Sequence, residues 1–185
     1  MTAHATTQLM TATDPLLLLF DQQPGPGFAV KPTDREALLD SLVALAATAR
    51  AFELPAVAPI ERTTMDSSAD ANVVTAVEAT GRKALLLAGL LSKARIAFTA
   101  LSALDAGYTV RVGRDACGGS SPVAHETALQ LIARSGMRPR TWLQVLLELQ
   151  RDWTRQATYM ASTDIIKAHA GAYAIGLNYA KAMLA

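Results

Sequence analysis

A chain of 185 residues, 51% hydrophobic and 18% charged, has room for one domain with a substantial core, and this composition excludes a disordered tail or a fibre. The formal charge of +1 comes from 17 basic and 16 acidic side chains scattered along the sequence, which gives no electrostatic footprint for nucleic acid. The early apolar run Leu16 to Phe20 is far shorter than the roughly 20 residues a membrane span needs, and a single cysteine, Cys117, excludes an intrachain disulfide and a cysteine-rich metal site.

Residues 1–13, polar and rich in Thr and Ala, are expected as a flexible N-terminal arm, with no basic leader or small-residue cleavage site, so a cytoplasmic setting is the expectation. Pro15 to Phe20 then reads as a buried strand that runs into Asp21. After the turn-rich Gln23-Pro24-Gly25-Pro26-Gly27, Thr33 and Glu36 form a capping box for a helix reaching about Ala51. Leu54 to Ala58 is a short strand candidate, Ala71 to Ala79 a helix and Lys83 to Ala88 a strongly apolar strand. Further helices are expected over Ala94 to Ala106, stopped by Gly107, over Pro122 to Arg134, followed by Gly136, and over Trp142 to Trp153; strands are expected over Tyr108 to Val112 and Arg138 to Thr141.

Strands that are apolar throughout, alternating with helices, suit a parallel sheet covered on both faces. The expectation is a three-layer αβα Rossmann-like α/β fold over residues 14–153, with residues 154–185 as a helical extension that forms a subunit interface or packs on its own domain. In such sheets function gathers at the carboxyl ends of strands, here Asp21, the Gly89 to Arg95 segment and the Asp115 to Ser121 loop. His4, His125 and His169 lack metal-ligand spacing, and Gly118-Gly119 lacks the rest of a phosphate-loop pattern, so neither a metal nor a cofactor is expected.

The segment Ala88-Gly89-Leu90-Leu91-Ser92-Lys93-Ala94-Arg95-Ile96-Ala97-Phe98, together with Ala79-Thr80-Gly81-Arg82-Lys83, Ala100 to Tyr108, Ala124-His125-Glu126 and Thr141 to Trp153, resembles the isochorismatase-like cysteine hydrolases, in the oligomeric branch without isochorismate specificity. The resemblance spans Pro15 to Leu184 apart from the stretch before Arg62, where only three residues stand in place of roughly two dozen, so a shortened segment after the second strand and a more open pocket are expected. Met65 to Asp70 matches a family stretch of the type M-N-S-W-E-D with Ser68 at the aromatic position.

That resemblance implies Asp21 as general base and Arg62 as the basic member of a triad whose nucleophile is a cysteine opening a helix. The cysteine position holds Arg95, and a guanidinium is no nucleophile at neutral pH. Lys93 replaces a glutamate, Ser92 stands at a threonine that is not the nucleophile, and Gln23 follows the aspartate as a binding candidate. The family also carries a cis peptide that would fall at Leu91-Ser92. Cys117 reads as a structural thiol. Two functions stay open: a small-molecule amide or C–N hydrolase that is impaired or inactive, with water or Ser92 as substitute nucleophile, or a non-catalytic oligomeric or anion-binding protein, in either case expected as a homo-oligomer through the C-terminal helices; the substitutions fit natural drift or an engineered variant equally.

Overall fold

Two runs of aliphatic residues make the centre of the molecule. The computed structural model describes residues 9–20, 35–57 and 64–184; in it β1 (Pro15–Phe20) lies parallel to β2 (Ala84–Leu90), in register from Pro15 opposite Ala84 to Phe20 opposite Gly89. Every residue of β2 is buried, which is why its sequence carries no polar alternation. β3 (Thr109–Gly118) pairs parallel with β2, and β4 (Arg138–Arg140) parallel with β3, giving the order β1-β2-β3-β4.

Helices cover both faces. α1 (Arg35–Ala51) packs on β3 and on α5 (Trp142–Gln150), while α3 (Ala97–Asp105) packs on β3 and beside α4 (Pro122–Arg134). The short α2 (Ala71–Ala79) is started by Asp70, whose Oδ1 accepts from the backbone N–H of Asn72 at 2.9 Å. Ser121 and Thr141 cap α4 and α5 in the same way, through the N–H groups of Ala124 and Gln144, and Pro122 fits the first turn of α4 where no N–H is needed. The expected three-layer α/β fold is therefore present.

Several boundaries differ from expectation, each for a local reason. The strand expected over Leu54 to Ala58 is reduced to one parallel bridge between Leu17 and Ala56, with Leu17 N–H donating to Pro55 O at 3.0 Å. β3 does not stop at Val112: its register with β2 slips between Leu87 and Gly89, so that Cys117 and Gly118 rejoin the sheet opposite Gly89 and Leu90. The expected Asp115 to Ser121 loop is thus half strand. The helix from Trp142 ends at Gln150 because Arg151 adopts φ 54°, and residues beyond it form α6 (Gln156–His169) and α7 (Ala172–Leu184), separated at Gly171 with φ 50°.

The expected N-terminal arm is held down over residues 9–13. Met10 is fully buried, its N–H donates to Glu148 Oε2 at 2.9 Å, and its carbonyl accepts from Arg151 at 2.9 Å. Glu148 in turn takes the Arg140 guanidinium at 2.5 Å, so one buried carboxylate ties the N-terminal segment, β4 and α5 together.

Candidate functional site

The carboxyl ends of β1, β2 and β3 meet where Gly89 faces Phe20. Gly89 has φ 128°, and a Cβ there would stand 2.1 Å from the Phe20 carbonyl oxygen, so only glycine lets the two strand ends come this close. One residue beyond β2, Leu91 turns the chain in the left-handed region at φ 64°, ψ 57°, a conformation that costs a non-glycine residue roughly 1–2 kcal/mol. A π-turn over Ser92–Ile96 follows and runs into α3. Strained elbows and π-turns of this kind concentrate at functional positions.

The bond between Leu91 and Ser92 is trans, as are all peptide bonds of the described residues, in contrast to the cis bond that the resemblance implied. Ser92 is fully buried; its hydroxyl donates to Gly118 O at 2.9 Å and lies 2.8 Å from His125 Nδ1. A serine has one hydrogen to give, and with that given to Gly118 the oxygen accepts from Nδ1–H of the imidazole. Burial pushes the His125 pKa down, opposed by Glu126 and reinforced by Arg114, which form an ion pair with each other at 2.7 Å. The neutral ring therefore braces the elbow against β3 and α4. Gly119 permits this: a Cβ on it would meet His125 Cβ at 3.0 Å.

Arg95 sits half-buried in the π-turn, and Lys93, on its exposed side, donates to Ser120 Oγ at 2.9 Å. The structure thus ties Ser92 and Lys93 to the end of β3 and the β3–α4 connection, with Arg95 in the same π-turn. Asp21, Gln23 and Arg62 lie outside the described residues, as does Thr33 of the expected capping box. Cys117, inside β3, is 1% exposed, and burial lifts its thiol pKa to about 12. Asp115, whose pKa burial raises, accepts from the Trp142 N–H at 3.0 Å and fixes the start of α5 to the end of β3.

His125 is the participant that sequence reasoning missed. It is 33 residues from Ser92 with no spacing motif to connect them. The only hint was Ala124-His125-Glu126 among the segments that carry the family resemblance. Among the described residues no group of three His, Cys, Asp or Glu side chains could hold a metal ion, and no helix is long and apolar enough to cross a membrane.

Residues 53–144 match the isochorismatase domain family model. The chain is 27% identical over 174 residues to "Probable hydrolase YcaC" of Escherichia coli K12, covering 80% of this chain and 84% of that protein. A structure of YcaC from Pseudomonas aeruginosa with hexane-2,5-diol and covalent acrylamide superposes with a TM-score of 0.88 at 27% identity, over 94% of this chain and 98% of the other. The E. coli YcaC structure, an octameric hydrolase of unknown specificity, gives 0.87 at 24% identity over 94% and 97%. MAR1 ribonuclease from Caenorhabditis elegans, at 15% identity and a TM-score of 0.75 over 86% and 92%, shares the fold alone. The family match and the likeness to YcaC support the isochorismatase-like superfamily and a hydrolase scaffold of that type.

Proposed function

We propose that this chain is an isochorismatase-like hydrolase scaffold without cysteine chemistry, Arg95 occupying the nucleophile position. The observation that carries this reading is that neither other candidate can take the nucleophile's place. Cys117 is sealed in β3 with its thiol pushed up to about 12, so thiolate is scarce at neutral pH. Ser92 is buried and already gives its proton to a carbonyl, whereas an activated serine gives it to a base. Asp21 and Arg62 are the remaining members of the triad in this reading, general base and cationic partner to a missing thiol.

Anion binding is the second reading, favoured by two cations, Lys93 and Arg95, within one turn at the carboxyl end of the sheet. A small carboxylate or phosphate would be drawn there, with Gln23 as a further contact. The chain is also proposed to be a homo-oligomer through its C-terminal helices. Ile175, Tyr179 and Met183 on α7 are 71%, 67% and 67% exposed, an apolar display that a second copy would cover, and YcaC of E. coli is octameric.

The test is Arg95→Cys assayed against a panel of small aliphatic amides beside the unaltered chain. Hydrolysis gained by the variant, with the parent silent, supports a scaffold poised around a missing nucleophile. Turnover by the parent chain at a comparable rate would overturn the reading. Calorimetry with acetate and phosphate addresses the second reading, which requires binding that Arg95→Ala weakens.

A further inference from the structure

A cavity of about 390 Å³ lies between α2, α3 and the face of the sheet, away from the carboxyl-end residues just described. Its walls are apolar: Leu18 and Leu85 from the sheet, Val73 and Val77 from α2, Ala103 from α3, and Tyr108 beyond it. One end is polar. There Asp66 accepts from Ser102 Oγ at 2.5 Å and from Ser68 N–H at 2.9 Å, and Ser67 N–H donates to Thr99 Oγ1 at 3.0 Å. Ser67 lines the cavity, is fully buried, and its Oγ has no hydrogen-bond partner among the described residues.

A buried hydroxyl left unmatched is costly, and native structures keep few of them without a reason. An apolar chamber of a few hundred cubic ångströms with a few polar groups gathered at one end is the general form of a small-molecule site. We infer that this cavity binds a small amphiphilic molecule, with an aliphatic or aromatic body against the sheet and α2 and one uncharged hydrogen-bonding head on Ser67 Oγ. The head is not anionic, because the carboxylates in the lining, Asp66 and Glu78, would repel a second negative charge. The site is independent of the chemistry at Arg95: it requires neither hydrolysis nor its loss.

The experiment titrates 4-phenylbutan-1-ol into the full chain by calorimetry, with butylbenzene and 4-phenylbutyrate as comparators. The expected result is saturable binding at one site per chain, in the sub-millimolar range appropriate to a ligand of this size, with the alcohol ahead of both comparators. Ser67→Ala is expected to weaken the alcohol roughly 3- to 10-fold while leaving the melting temperature unchanged or slightly higher, since it removes an orphaned hydroxyl. A merely structural serine would lower it. Val74→Trp, which fills the cavity from the partly exposed flank of α2, should abolish binding; Ala106→Trp does the same from the other side if that variant fails to fold. No saturable binding, or binding indifferent to both kinds of variant, overturns the inference. So does a change in sedimentation caused by the filling variant, which would make this face a contact between copies of the chain.

Discussion

Gly89 and His125 hold the candidate site in shape from opposite sides. A methyl group at Gly89 has nowhere to go, because the atom it meets at 2.1 Å is backbone oxygen of the neighbouring strand and the φ of 128° is itself unfavourable for any other residue. Gly89→Ala is expected to cost about 4 kcal/mol or more, or to leave the chain insoluble, measured by denaturant unfolding. His125 gives a pH signature. Its pKa is lower folded than unfolded, so below the ordinary histidine value of about 6.5 the unfolded chain binds the proton that the native one refuses. Stability should therefore fall as the pH drops from 7 through that value, by up to about 1.4 kcal/mol per pH unit. Thermal melts of the parent and His125→Gln isolate this slope: the variant should lose it, and an unchanged slope would assign it elsewhere.

At the scale of elements, the apolar strands and capped helices were legible because their patterns are local. Lys83 to Ala88 is nearly the observed β2, and Pro122–Arg134 matches α4 at both ends. The return of β3 to the sheet was not legible, since Gly113, Arg114 and Asp115 interrupt the apolar run and only the slipped pairing with Gly89 restores it. Nor was the partnership of Ser92 with His125, which depends on how α4 meets the elbow after β2. The stop at Gln150 was hidden for a similar reason. Fully buried, Gln150 accepts from Thr158 and Ser162 hydroxyls at 2.6 and 3.1 Å and donates to the carbonyls of Asp152 and Arg155, so one amide folds the connection and seats α6. Gln150→Leu strands those partners and should cost about 2–4 kcal/mol in chemical denaturation. Loss of under half a kilocalorie per mole would mean that the docking of α6 does not depend on them.

For the molecule as a whole, the C-terminal helices divide the work. α6 is seated on α1, with His169 Nδ1 2.6 Å from Asp40 Oδ1 and its ring edge-on to Trp142 at 6.2 Å. α7 rests mainly on α6 and leaves Ile175, Tyr179 and Met183 outward. If that display forms the subunit contact, Ile175→Glu with Tyr179→Glu should shift sedimentation toward the monomer while the far-ultraviolet circular dichroism stays the same. An assembly of unchanged mass would move the contact to another surface. The central claim, that the scaffold survives without a usable nucleophile, is tested most directly by intact-protein mass spectrometry after incubating the native chain with acrylamide, the reagent bound covalently in the P. aeruginosa YcaC structure. The account predicts an unmodified mass until the protein is unfolded, when Cys117 becomes accessible. A stoichiometric adduct on the native chain, at Cys117 or any other side chain, would contradict it.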